Sequence, residues 1–233
     1  MPKVRVNDIA MNYETHGEGE PLVLIGGLGT DISMYRKMMR EFSETHRVLV
    51  FDNRGAGLSD KPDIPYTIEM MADDTAALMA SAGIERASVL GISLGGRIAM
   101  ALALRHPDRV NRLILTSTFA SQPEKKLPRS YHAIKLATSW THAFRKKTQP
   151  YYAFMRQLEA SRGFVCAARL GEIQAPTLIL HGMKDKIAPF RLAEEMHAGI
   201  SGSKLVAFNG GHAFPFMQRE RFVKEVCAFL ARP

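Results

Sequence analysis

Three residues have the types and surroundings to perform acyl transfer together: Ser93, Asp185 and His212. Ser93 stands in Gly91-Ile92-Ser93-Leu94-Gly95-Gly96, between the apolar run 87–90 and helix-like text over 97–105. A strand that turns straight into a helix holds one residue in a strained conformation and projects its side chain from the top of the turn. Side chains two positions to either side would collide across so sharp a bend, which accounts for Gly91 and Gly95, while Gly96 lets the helix pack close. The Leu94 N–H then lies at the positive end of that helix, where an oxyanion can sit.

A nucleophilic serine needs a base, and the base needs a group that fixes its tautomer and stabilises its positive charge. In an open parallel sheet such groups gather at the carboxyl ends of the strands. The run 177–180 is followed by His181-Gly182-Met183-Lys184-Asp185, and the run 204–208 by Asn209-Gly210-Gly211-His212. Asp185 and His212 are therefore the expected partners of Ser93, in the chain order serine, acid, histidine. The loop after the preceding strand, ending at Ser117, carries no competing carboxylate. His181 is read as a structural hydrogen-bonding residue, His106 as a cap on the carbonyls of a helix end, and His16, His46 and His197 as solvated. The second oxyanion donor is assigned to the N–H of Leu28, in the loop Gly26-Gly27-Leu28-Gly29.

These positions require a scaffold that aligns several strand ends. Residues 4–6 and 9–15 read as a hairpin turning at Asn7-Asp8, an antiparallel edge. Continuous apolar runs at 21–25, 47–51, 87–90, 110–115, 176–180 and 204–208 suit strands covered on both faces. Helices are expected at 33–44, 67–82 with Thr67 as N-cap and Gly83 as stop, 97–105, 189–198 and 216–230. The fold class is α/β: a mostly parallel sheet of about eight strands with helices on both faces. The rhythm breaks between 119 and 171, so residues 1–118 and 172–233 form the expected core and 119–171 a short helical lid.

A chain of 233 residues, 46% of them hydrophobic, fits one large α/β domain. No apolar run is long enough to span a bilayer and the first residues lack a signal peptide's hydrophobic region, so a cytoplasmic location is expected. Cys166 and Cys227 suggest neither a disulfide framework nor a metal site, and no cofactor is expected. Net charge is +8, and all of it falls in the lid: residues 121–171 hold ten basic and two acidic side chains, the remainder 21 of each. One reading is that the lid draws in anionic substrates. The other is that these are solvated faces of amphipathic helices, with Tyr131, Ile134, Phe144, Tyr151, Phe154, Met155 and Leu158 packing inward. A membrane-surface or partner-binding helix is a third reading; nucleic acid is not expected, since no binding motif accompanies the charge.

Over nearly its whole length the chain resembles the α/β-hydrolase superfamily. The resemblance rests on Gly26 to Gly29, Asp52-Asn53-Arg54-Gly55-Ala56-Gly57-Leu58-Ser59, the elbow, His106-Pro107-Asp108-Arg109-Val110, His181 to Asp185, and Gly211-His212. It implies the triad Ser93, Asp185 and His212 and an oxyanion hole from the Leu28 and Leu94 N–H groups, with Asp52 and Arg54 holding their turn. A histidine often precedes the loop glycine in this family, and here Gly26 stands in its place, which bears on the rigidity of the loop. Within the superfamily the chain is similar to 3-oxoadipate enol-lactonases and related small carboxylic ester hydrolases. The expected activity is hydrolysis of a small ester or lactone. Alternatives with the same triad are a thioesterase, a C–C bond hydrolase or a slow-turnover small-molecule receptor. Perhydrolysis is disfavoured, since the loop 26–31 has no proline. Oligomeric state is not legible.

Overall fold

The computed structural model describes residues 3–121 and 149–231. Eight strands form one sheet in these residues: β1 (Lys3–Val6), β2 (Ile9–His16), β3 (Pro21–Ile25), β4 (Arg47–Phe51), β5 (Ala87–Ile92), β6 (Val110–Thr116), β7 (Thr177–Gly182) and β8 (Lys204–Phe208). Their spatial order is β1-β2-β4-β3-β5-β6-β7-β8. The β1–β2 and β2–β4 pairs are antiparallel and all the others parallel. The hairpin edge is closed by a two-residue turn in which Asn7 takes φ 49°, a left-handed conformation that asparagine tolerates.

The unbroken apolar runs follow from coverage of both faces. Alternate residues of one strand enter different cores: Val23 and Ile25 join Leu49, Val89 and Leu113 on one side, whereas Leu22 and Leu24 join Val48, Leu90 and Ile114 on the other. Burying such a side chain contributes about 1.5–3 kcal/mol, so neither face tolerates a polar residue and no alternation survives in the sequence. Helices α2 (Ile68–Ser81) and α3 (Leu94–Arg105) cover the first face. Helix α1 (Arg36–Phe42) and the last helix cover the second.

Several boundaries fall where local chemistry places them. The Thr67 hydroxyl accepts from Met70 N at 3.0 Å and Gly83 takes φ 68°, so α2 begins and stops as its sequence predicts. The helix expected at 33–44 is broken instead into a 3-10 turn, Ile32–Tyr35, and α1. Asp31 caps the turn through Ser33 N, and Ile32 N is drawn to Asp52 at 2.8 Å, which tightens its start. The last helix likewise divides at Gln218 (φ −120°, ψ 41°). Between β6 and β7 lie α4 (Tyr151–Gly163) and a 3-10 turn, Ala167–Glu172. After β7 come α5 (Arg191–Gly199), α6 (Phe214–Met217) and α7 (Arg219–Leu230).

Asp52 and Arg54 hold the turn after β4 as expected. Asp52 accepts from Ile32 N, Leu58 N and Asn12 Nδ2 at 2.7–2.8 Å. The buried Arg54 guanidinium ties Asp74 of α2 to Asp8 of the hairpin turn. No described helix is long and apolar enough to cross a membrane.

Candidate active site

Ser93 sits between β5 and α3 with φ 56° and ψ −114°, a strained conformation for a residue with a side chain. A Cβ on Gly91 would run into the Gly95 carbonyl oxygen, the collision predicted across the bend. Gly95 is needed for a different reason: its Cβ would strike the carbonyl oxygen of Ile25, on neighbouring β3. A Cβ on Gly96 would stand 2.6 Å from Thr118 Cβ, so this glycine lets α3 close on the end of β6. Two backbone bonds fasten the elbow, Ser93 N to Thr116 O at 2.9 Å and Gly96 N to Ser93 O at 3.0 Å.

The ends of β7 and β8 deliver Asp185 and His212 to this serine. His212 Nε2 lies 3.0 Å from Ser93 Oγ, and His212 Nδ1 lies 2.8 Å from Asp185 Oδ2. A carboxylate oxygen accepts only, so Nδ1 carries the proton and the Nε2 lone pair faces the serine hydroxyl. The Asp185 carboxylate is buried, and its Oδ1 accepts from Ile187 N at 2.8 Å and Ala188 N at 2.9 Å. One oxygen is thereby locked to its own loop while the other is left for the imidazole. The relay can draw the Ser93 proton to His212 while Asp185 faces the resulting positive ring.

His181 stays outside this relay. Its Nε2–H donates to Ala188 O at 2.7 Å and stands 3.5 Å from Asp185 Oδ2, too far for a hydrogen bond. Burial lowers its pKa, since the charged ring would lose its hydration there. It holds the loop that holds Asp185, in keeping with a structural reading. His106 differs from expectation: its ring pairs with Asp73 of α2 at 2.7 Å rather than capping helix carbonyls.

On the other side of Ser93, the loop after β3 approaches so closely that a Cβ on Gly27 would lie 3.5 Å from Ser93 Cβ. Its shape comes from a closed hydrogen-bond circuit. Gly27 N–H donates to the Tyr35 hydroxyl at 2.8 Å, and Thr30 Oγ1 donates to Gly27 O at 2.8 Å. Since the threonine hydrogen is spent there, the 2.9 Å contact between the two hydroxyls is donated by Tyr35. The Gly27 carbonyl is thus pulled toward Thr30, and a trans peptide must aim the Leu28 N–H the opposite way. Among the described residues neither Leu28 N–H nor Leu94 N–H donates a hydrogen bond. Both are available to a developing oxyanion. Gly26 now has a reason, because a Cβ there would meet Thr30 Oγ1 and Tyr35 Cε2 at 2.8 Å. A side chain at this position would enter space taken by Tyr35, whose hydroxyl holds the loop.

Further support arrives from the segment between β6 and β7. Arg97, four residues beyond Ser93, is buried and donates to the carbonyl oxygens of Phe119 and Phe164, with their rings 4.3 and 5.4 Å from its guanidinium carbon. Burial lowers its pKa to about 10. It joins the elbow helix to both ends of the intervening segment. Of the ten basic residues counted there, seven lie outside the described residues: Lys125, Lys126, Arg129, Lys135, Arg145, Lys146 and Lys147. Arg156 pairs with Asp63 at 3.2 Å and Arg169 with Glu172 at 2.7 Å. Phe154 and Leu158 pack inward as expected, whereas Tyr151 is exposed. Tyr131, Ile134 and Phe144 also lie outside the described residues.

Comparison with known proteins places the chain in a family. Residues 20–131 match the family model described as alpha/beta hydrolase fold. The AB hydrolase superfamily protein YisY of Bacillus subtilis (strain 168) is 31% identical over 95% of this chain and 95% of its own length. The chain belongs to the α/β-hydrolase superfamily. This hydrolase is similar in structure to the enol-lactonase from Burkholderia xenovorans LB400, with a TM-score of 0.89 and 29% identity over 99% of this chain and 100% of that one. Est816, described as an N-acyl homoserine lactone degrading enzyme, gives a TM-score of 0.89 and 26% identity over 98% and 100%.

Residues of the hydrolase that the sequence does not announce include Tyr35 and Thr30 in the glycine-loop circuit, and Ser117 and Thr118 just beyond β6. Ser117 Oγ donates to His212 O at 3.0 Å and Thr118 Oγ1 to Ser93 O at 2.9 Å, so adjacent hydroxyls brace the candidate base and nucleophile. A signal was present in part: polar residues closing an apolar strand beside the elbow strand invite a search for partners there.

Proposed function

We propose that the protein is a serine hydrolase that cleaves a small carboxylic ester or lactone through an acyl-enzyme. The observation that carries this reading is the continuous relay from Ser93 Oγ through His212 to the buried Asp185 carboxylate, with spacings of 3.0 and 2.8 Å. Ser93 Oγ attacks the carbonyl carbon as its proton passes to His212 Nε2. The oxyanion is met by the N–H groups of Leu28 and Leu94. As the carbonyl–oxygen bond to the leaving group breaks, the imidazolium returns the proton to that oxygen. Water, deprotonated by His212, then attacks the acyl carbon and frees Ser93. The enol-lactonase and lactone-degrading relatives support the choice of ester or lactone. Residues 1–118 and 172–233 are read as the catalytic core and 119–171 as a lid over it.

Turnover of a neutral butyrate ester and an anionic succinate ester of the same chromophore, at low and high salt, tests this reading with Ser93→Ala as control. The parent should release many equivalents of product, and Ser93→Ala should lose turnover by about a millionfold while keeping its melting curve. Near-parent activity in Ser93→Ala contradicts the mechanism, and release of only one equivalent favours the slow receptor. A preference for succinate that fades with salt assigns the basic lid to substrate attraction; butyrate preference at both salts assigns that charge to solvation. Thioester or C–C bond substrates turned over faster than esters would move the substrate class and leave the triad in place.

A further inference from the structure

Helix α4 and the segment just before it reach the oxyanion loop through two buried glutamines, Gln157 and Gln149, and backbone partners fix which way the Gln157 amide faces. Gln157 is fully buried, and its side chain meets Arg54 O at 2.7 Å. A carbonyl oxygen only accepts, so the contacting atom is Nε2. Gln157 Oε1 is then the atom turned to the loop, where it accepts from Gly29 N at 3.3 Å and from Gln149 Nε2 at 3.0 Å. Gly29 is roofed by Phe154 of the same helix and by Gln149 before it: a Cβ on it would lie 3.2 Å from the Phe154 ring and 3.3 Å from Gln149 Oε1. Its φ of 71° is one that few side chains adopt.

Leu28 lies between two peptide planes. The plane before it, which carries the Leu28 N–H, is held through Gly27 O by Thr30 and Tyr35. The plane after it carries the Gly29 N–H and is held by Gln157. With the second hold removed, the plane after Leu28 keeps only the turn closed by Thr30 N on Gly27 O at 3.3 Å, and the Leu28 N–H is aimed less firmly. A donor preorganised for an oxyanion stabilises it without reorganisation at the moment of reaction, and that advantage is what a loosened loop forfeits.

We infer that Gln157 is a positioning residue for the oxyanion loop, so that α4, 128 residues away in sequence, completes the site by seating on the core. This rests on the reading of Ser93 as nucleophile and Leu28 as oxyanion donor. A helix that only shields the site affects substrate binding; one that aligns the Leu28 N–H affects the transition state and leaves ground-state binding alone.

The test compares Gln157→Met, which keeps side-chain volume but loses all three polar contacts, with Arg156→Ala. The latter removes the exposed pairs to Asp63 and Glu159 on the same helix without touching the loop. Readouts are kcat and KM for the preferred ester, the Ki of a trifluoromethyl ketone that forms an oxyanion on Ser93, and the melting temperature. Gln157→Met should lower kcat about 30-fold, short of the 10²–10³-fold cost of deleting a whole donor. It should weaken the ketone by a similar factor and leave KM within about twofold, while Arg156→Ala changes none of these by more than about twofold. Unchanged kcat and ketone affinity in Gln157→Met, or equal losses in Arg156→Ala, overturns the inference. Should Gln157→Met fail to fold, Gln157→Asn, too short to span Gly29 and Arg54 together, is read on the same scale. Undiminished turnover in Ser93→Ala would show instead that the underlying mechanism had failed.

Discussion

The two sides of the site are built on different principles. On the side of β5, β7 and β8, Ser93, Asp185 and His212 stand where parallel strands end: elbow strain holds Ser93, two amides two and three residues beyond Asp185 hold its carboxylate, and the hydroxyls of Ser117 and Thr118 brace the backbone of His212 and Ser93. On the side of the glycine loop, the donors are aimed by side chains from elsewhere, Tyr35 from the 3-10 turn and Gln157 from α4. Strand ends supply the candidate reacting groups, and side chains from other elements supply the aim of the candidate oxyanion loop. The first should fail chemically when altered, the second by degrees.

The largest effect is expected at Asp185→Asn. The carboxamide can keep hydrogen bonds to the loop but presents the wrong partner to His212 Nδ1, and kcat should fall about 10⁴-fold with a near-parent fold. Steady-state kinetics beside circular dichroism checks this. A loss below tenfold would mean that the strand-end side is less demanding than its geometry implies.

A smaller and graded loss is expected at Tyr35→Phe. The ring still fills the space beside Gly26, while the Gly27 N–H and Thr30 hydroxyl lose a partner. An unmade buried bond costs about 1–3 kcal/mol, which should appear partly as a lower melting temperature and partly as a fall in kcat of about tenfold. A comparable loss in Thr30→Val, which removes the donor to Gly27 O and leaves the Tyr35 ring in place, would sharpen the comparison. A Tyr35→Phe enzyme with parent kcat would break it.

The smallest effect concerns pH and lies under Asp185. Burial, the largest cause, holds the His181 imidazole below its ordinary value, with the Ala188 carbonyl and Asp185 opposing. Below about pH 6.5, where the unfolded imidazole titrates, the unfolded chain binds a proton that the folded chain refuses. Stability is fully present above that value and declines as pH falls toward the lowered folded one. His181→Gln, which can still donate to Ala188 O, should flatten that part of a melting-temperature profile between pH 7 and 5. A profile parallel to the parent's would show that His181 contributes no acid sensitivity.

The same contrast explains what was legible in the sequence. Strand ends announce themselves: β3 and β4 carry the residues that the apolar runs predict because both of their faces are buried, and the edge strand β8 keeps its apolar run with residues 205–207 only partly buried. The elbow glycines and the order of Ser93, Asp185 and His212 follow from that register. Tyr35 was hidden because nothing in an aromatic residue of helical text says that its hydroxyl turns to a glycine amide eight residues earlier. Gln157 was hidden by greater distance: an interior glutamine on α4 reads as an ordinary polar position until the fold brings Arg54 and Gly29 to either end of its amide. His106 misled for a related reason, since Asp73 is a neighbour only once α2 and α3 are packed. Side-chain partners across the fold are a property of packing, and one chain read in order does not display them.

The most direct test of the central claim is covalent. A p-nitrophenyl alkylphosphonate reacts with an activated serine by losing p-nitrophenolate and forming a phosphonyl ester on its oxygen. Intact-mass and peptide mapping should find one equivalent of adduct on the peptide that contains Ser93, formed at least about a thousandfold more slowly in His212→Ala and absent in Ser93→Ala. Adduct on another residue, or equal labelling of the parent and Ser93→Ala, would contradict the assignment of Ser93 as the nucleophile.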